Sequence, residues 1–205
     1  MKEREKTLSE RKRESILDAA KRAFLAHGVQ GTSMDKLAEM ADVSKRTVYN
    51  HFSNKEELVL QMLSELWTRT MVEVDLPYDA SKPLEGQLRQ LLSAETELVS
   101  GNEFLGLSRA AAGHYMFQPE KLQAAVQEFP VEDTALYRWI TAAMSDGRLR
   151  KADANVAFEQ LHNLIKGACY WPQLLGLKPA LTAEEKKQLV LGSVDLFLDH
   201  YRKDA

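Results

Sequence analysis

Between Thr32 and Leu58 two short apolar-periodic segments are separated only by Asp42 and Val43, a spacing that predicts two helices meeting at a tight turn. The first helix should begin at Thr32 or Ser33, whose hydroxyl can accept from an orphan backbone N–H, and should bury Met34, Leu37, Ala38 and Ala41. Asp enters the left-handed backbone region at modest cost, so the chain can stop at Ala41, turn through Asp42 and restart with Ser44 as the next N-cap. In the second helix Val48 and Phe52 lie four residues apart and face inward. Lys45, Arg46, Thr47, Tyr49, Asn50 and His51 are then spread over the remaining surface.

The chemistry of that surface suits a nucleic-acid groove. Lys and Arg neutralise phosphates or bond guanine edges, Asn addresses adenine, and Thr touches a thymine methyl group. Tyr49, His51 and Lys55 are placed to grip the backbone, and helix N-termini at Ser44 and near Asn54 add N–H donors that suit phosphate. Spacing alone leaves open an ordinary helical hairpin with a solvated polar face.

The run from Gly28 to Leu58 resembles the DNA-binding segment of the tetracycline-repressor (TetR) family of bacterial transcription regulators. The residues that carry the resemblance are Val43-Ser44-Lys45-Arg46-Thr47-Val48-Tyr49-Asn50-His51-Phe52 and Asn54-Lys55-Glu56-Glu57-Leu58. It implies that Lys45, Arg46 and Thr47 face bases or nearby phosphates, that Tyr49, His51 and Lys55 hold the backbone, and that Thr32 or Ser33 meets phosphate. Asp42 departs from the glycine usual at that place in the family. Further on, Gly147-Arg148-Leu149, Asp153 and a helix ending near Gly167 are similar to the branch that regulates efflux pumps and stress responses.

A supporting helix precedes the motif, because Ile16, Ala19, Ala20, Ala23 and Phe24 follow helical spacing and end at His27-Gly28, a C-cap. Residues 1–13 mix Lys2, Arg4, Lys6, Arg11, Lys12 and Arg13 with Glu3, Glu5 and Glu10, and are expected as a solvated, partly frayed end rather than a minor-groove arm. The net charge of −3 does not suggest a nucleic-acid partner by itself. Its distribution does: residues 1–54 hold 11 Lys and Arg against 8 Asp and Glu, a net of +3, whereas residues 55–205 hold 16 against 22, a net of −6.

No segment reads as a strand, so the expected fold is all-α: a three-helix head with a helix-turn-helix, joined by a connecting helix to a C-terminal helical domain for ligand binding and dimerisation. The division is placed at residues 1–55 and 56–205. The connecting helix should run from Glu56 to about Val74, with later helices near 82–100, 102–117, 119–128, 131–146, 153–175 and 182–203. In the last, Thr182 and Glu185 form a capping box, and Leu189, Ser193, Leu196, Phe197 and His200 share a stripe. Its apolar surface and that of the preceding helix, which carries Leu161 and Ile165, are wide enough to pack against symmetry copies as well as a core. The family resemblance implies a two-fold four-helix interface there, and a homodimer suits a palindromic site in double-stranded DNA.

Candidate residues for a hydrophobic or aromatic small-molecule effector are Phe104, His114, Tyr115, Phe117, Trp139, His162, Cys169, Tyr170 and Trp171. Each can equally be core, and Pro172 after Trp171 should kink or end its helix. Cys169 as a redox sensor competes with the plainer role of a small buried apolar residue. The single cysteine excludes an intramolecular disulfide and a Cys-based zinc cluster. Zinc-protease, Walker and dinucleotide-binding patterns are missing, and Gly101 with Gly106 lacks the Lys of a phosphate loop. No catalytic residue, metal or cofactor is therefore expected. Without an apolar run of spanning length or a signal-peptide pattern, a cytoplasmic location with no membrane partner is expected. The expected function is a homodimeric repressor released from its operator by a small molecule. The alternatives are a ligand-independent, constitutive or architectural DNA-binding protein, and a small-molecule-binding protein with a DNA-silent head.

Overall fold

Thr7 and Glu10 open the first helix by capping each other, the Thr7 side chain accepting from the Glu10 N–H and the Glu10 carboxylate from the Thr7 N–H. The computed structural model describes residues 7–68, 71, 76–116, 118–127 and 130–203. Helix α1 spans Leu8–His27, so residues 8–13 are helical and not the frayed end that their mixed charge suggested. The capping box fixes a start that charge counting does not register. Lys2, Glu3, Arg4, Glu5 and Lys6 lie outside the described residues.

The chain divides into two packing units. The first combines residues 1–65 with residues 106–126. It contains α1, α2 (Met34–Met40), α3 (Lys45–His51), nearly all of α4 (Lys55–Trp67), most of α6 (Asn102–Tyr115) and α7 (Pro119–Val126). Its core is built as the spacing predicted, from Ile16, Ala19, Ala20, Ala23, Phe24, Leu37, Val48 and Phe52, joined by Leu58 and Val59. Ser15 Oγ donates to the Ala41 carbonyl at 2.9 Å and ties α1 to the end of α2. Gly28 closes α1 with φ of 70°, and its N–H returns to Phe24. Packing groups 106–126 with this unit, a grouping invisible in chain order. At Gly106 the side chain of Leu25 occupies the place a Cβ would take, so a residue without one lets α6 approach α1.

The second unit contains residues 66–105 and 127–205. Helices α5 (Leu84–Val99), α8 (Ala135–Ser145), α9 (Ala154–Cys169) and α11 (Ala183–Tyr201) enclose its core, with Leu88, Leu92, Trp139, Ile140, Phe158, Leu161, Ile165 and Val194 inside. The helix expected over 131–146 is a 3-10 turn, Val131–Asp133, followed by α8, because Thr134 takes an extended conformation and caps α8 by accepting from the Tyr137 N–H. The helix expected over 153–175 is likewise divided. It breaks at Tyr170, and a four-residue α10 (Trp171–Leu174) begins with Pro172 in its first turn, where the missing N–H costs nothing. Helix α11 starts with the expected Thr182–Glu185 capping box. Among the described residues regular structure is helical, apart from an isolated antiparallel bridge between Leu149 and Arg202, and no helix is long and apolar enough to cross a membrane.

Candidate nucleic-acid interface

The turn between α2 and α3 follows the expected geometry. Asp42 has φ of 52°, in the left-handed region, and the Val43 N–H donates to the Ala38 carbonyl at 3.0 Å. Ser44 caps α3 by accepting from the Thr47 N–H at 3.1 Å. Val48 and Phe52 anchor α3 inside the unit, and Arg13 of α1 stacks 5.2 Å from the Phe52 ring centre. The face opposite this anchor presents Arg46, Tyr49 and Asn50 to solvent, with His51 half-buried beside Phe52.

The other expected contacts are more constrained. Lys45 is exposed, but its ammonium is paired with Asp35 at 2.7 Å across α2 and α3, and the hydrogen bond to Asp35 raises its pKa. A pair so open to water contributes little and is cheap to break. Thr47 turns its hydroxyl back to Ser44 Oγ at 2.8 Å, leaving its methyl group for apolar contact. The Lys55 ammonium donates to the Val29 carbonyl at 2.8 Å, holding the α1–α2 loop. Thr32 must be corrected: it is 3% exposed and its hydroxyl donates to the Gly28 carbonyl, so it is a buried loop tie, not a phosphate contact. Ser33 is the exposed one, capping α2 at the Lys36 N–H. Asn54 accepts from the Glu57 N–H and starts α4. Sequence reasoning missed Asp35 as the partner of Lys45; a carboxylate in the first turn of α2 looks like ordinary helix-dipole compensation.

Of the effector candidates, four lie at the end of α9 and the turn that follows or pack against it, and His162 lies two turns earlier on α9. Phe104 meets Tyr170 with ring centres 5.8 Å apart, Tyr170 meets Trp171 at 4.9 Å, and His162 Nδ1 pairs with the Glu95 carboxylate. Cys169 is fully buried among them, and burial pushes its thiol up to about 11. The thiol is thus protonated and shielded, which contradicts a sensing cysteine. Trp139 does not join them in this way: its Nε1 donates to Gln87 Oε1 at 3.2 Å and Tyr78 packs edge-on against it, a satisfied core residue. Tyr115 is buried in the first unit. Phe117 and the His114 side chain lie outside the described residues.

The dimer candidates also divide. Leu161, Ile165, Ser193 and Phe197 are buried within the chain's own core: the inward stripe of α9 is Ala157, Phe158, Leu161, Ile165 and Cys169, and that of α11 is Val190, Ser193, Val194, Phe197, Leu198 and Tyr201. They have no surface to offer a second copy. Leu189 is half-buried, while Leu196, 62% exposed, and His200 point outward, the latter paired with Arg150. Val156 and Leu164 supply exposed apolar surface on α9 that the periodicity did not separate from core.

The family of AefR-like transcriptional repressor C-terminal domains matches residues 86–203, more than half of the chain, and the tetR family of bacterial regulatory proteins matches residues 16–62. An uncharacterized HTH-type transcriptional regulator of Bacillus subtilis, YhgD, is 34% identical over 82 residues, 40% of this chain and 43% of YhgD. The chain thus aligns with less than half the length of this curated relative. Solved structures match throughout. A TetR family transcriptional regulator from Pseudomonas syringae pv. tomato superposes with a TM-score of 0.81 at 37% identity, covering 96% of this chain and 100% of that one. The flavonoid-responsive regulator FrrA superposes with a TM-score of 0.75 at 25% identity, covering 95% and 99%. With a matching head, a matching C-terminal domain and neighbours along the whole fold, the chain belongs to the TetR family of bacterial transcriptional regulators.

Proposed function

We propose that the protein is a sequence-specific, homodimeric transcriptional repressor that binds a palindromic operator in double-stranded DNA and releases it when a small molecule occupies its C-terminal domain. The observation that carries this reading is the outward face of α3, where Arg46, Tyr49 and Asn50 are displayed on a helix fixed from behind by Val48 and Phe52. Ser33, Ser44, Lys45, Thr47, His51 and Lys55 flank it and complete the contact surface. The head is assigned to residues 1–55 and the effector and dimerisation functions to residues 56–205. No catalytic role is assigned, and the protein acts in the cytoplasm, where its DNA is.

Dimerisation through α9 and α11 is supported by exposed Val156, Leu164 and Leu196 and by two glycines, Gly167 and Gly192. A Cβ at either glycine would meet nothing within 4 Å among the described residues. A glycine inside a helix costs about 1 kcal/mol relative to alanine. No neighbour among the described residues requires a glycine at these places, whereas the close approach of a second copy would. Effector release is supported by the relative FrrA, whose description is flavonoid-responsive.

The test is selection of bound DNA from a random pool by the purified full chain at stated salt. The expected result is a two-fold symmetric consensus with half-sites one helical turn or more apart. Failure to enrich any sequence overturns the specific-repressor reading in favour of an architectural or DNA-silent protein.

A further inference from the structure

Glu95, in the middle of α5, is 3% exposed, yet a carboxylate in the interior needs partners for both oxygens. One oxygen pairs with His162 Nδ1. The other, Oε2, is buried without a hydrogen-bond partner among the described residues. Beside this acceptor Phe158 stacks on the Glu95-bound His162 with ring centres 5.1 Å apart, and two turns further along, at the end of α9, Tyr170 packs against Phe104. The cluster also holds a cation. Lys166, one turn beyond His162 on α9, lies 4.5 Å from the Tyr170 ring centre and interacts electrostatically with Glu95. Burial lowers its pKa, the expected direction for an ammonium drawn out of water.

We propose that Glu95 is the polar anchor of the effector site and that the effector is an uncharged aromatic molecule carrying a hydroxyl, a phenol, which donates its O–H to Glu95 Oε2. This rests on the effector-release reading above and names its ligand class and anchoring residue. A neutral donor is preferred over a protonated amine because Lys166 already supplies a positive charge, and a second cation would be desolvated beside it. The aromatic body lies against Phe104 and Tyr170, near the break between α9 and α10.

The test compares 2-naphthol with 2-methoxynaphthalene, which has the same ring but no donor, by calorimetric titration into the full chain. The proteins are wild type, Glu95→Gln, Glu95→Leu and Lys166→Met, each first checked for native helicity and a cooperative thermal transition. Wild type is expected to bind 2-naphthol at least about tenfold more tightly than the ether. Glu95→Leu should abolish that ratio while still binding the ether, and Lys166→Met should improve binding of protonated 2-(aminomethyl)naphthalene. Equal affinity of wild type for naphthol and ether, no binding of naphthol, or an unchanged ratio in folded Glu95→Leu overturns the proposal; the last is the result if Glu95 serves only to hold His162 or an ordered water. DNA release is read separately on the selected operator. A phenol that binds through Glu95 without releasing DNA keeps Glu95 as a ligand anchor but removes the phenol as effector, whereas release by 2-naphthol that persists in Glu95→Leu keeps the effector-release reading and removes Glu95 as its anchor.

Discussion

Single side chains in the head are committed to one another before DNA arrives. Lys45 is held by Asp35 and Lys55, on α4, by the Val29 carbonyl, while α3 presents Arg46, Tyr49 and Asn50 to solvent. Replacing Asp35 with Asn removes a negative charge and frees Lys45 for phosphate. Affinity should rise on all DNA sequences and its salt dependence should steepen, measured by fluorescence anisotropy over a salt series; Arg46→Ala should instead weaken discrimination between operator and scrambled duplex by about 1–3 kcal/mol if Arg46 reads a base. Unchanged salt dependence in Asp35→Asn would mean that Lys45 does not reach the backbone. At Cys169 the chemistry is inert by burial. With its thiol near 11, the thiolate is scarce at pH 8, and iodoacetamide should label the folded protein far more slowly than the denatured chain, followed by intact mass. Fast labelling of the native protein would contradict the buried placement.

Helix starts were the most legible features, because a cap is written in two or three adjacent residues. Ser44 and Thr182 were readable as N-caps from sequence and act as such, and of the two candidates Thr32 and Ser33 it is Ser33 that caps α2. The ends were less so: the segment 153–175 carries a continuous helical periodicity, and only Pro172, expected to kink or end the helix because it cannot donate within α9, marked the break that falls at Tyr170. Helix α11 depends on its capping box, since Thr182 and Glu185 satisfy N–H groups in each other's turn. Thr182→Ala should cost about 0.5–2 kcal/mol in urea unfolding without changing DNA sequence preference. A loss well below that range would show that tertiary contacts alone fix the start of α11.

At the scale of the molecule the unresolved matter in any amphipathic helix is which of two apolar stripes faces home. On α11 the spacing admits both the stripe through Leu189 and Leu196 and the stripe through Val194 and Tyr201; packing inside the chain selects the second. Of the first, Ser193 and Phe197 are also buried, and Leu196 stays exposed as the surface that the dimer proposal assigns to a second copy. Leu196→Glu places a charge on that outward surface and should convert a dimer to monomer in sedimentation at micromolar concentration, with thermal stability of the protomer core retained and operator affinity reduced. A wild-type chain that sediments only as monomer, with and without operator DNA, would remove the dimer reading. The same argument covers α9, where Leu161 and Ile165 turn inward while Val156 and Leu164 do not.

What the sequence determined is what depends on neighbours along the chain: the helical caps, the left-handed turn at Asp42, the anchoring of α3 by Val48 and Phe52, and the residue types on its outer face. These are interactions within a few residues, and their chemistry is readable at the spacing of a helix turn. The tertiary structure decided everything that depends on partners far away in sequence. It assigned Thr32 to a loop tie, paired Lys45 with Asp35, grouped residues 106–126 with the head's unit, and buried Glu95 against His162. Periodicity shows that a face is apolar or polar, but the free energy of covering it depends on what is brought against it, and that is set only when the helices pack.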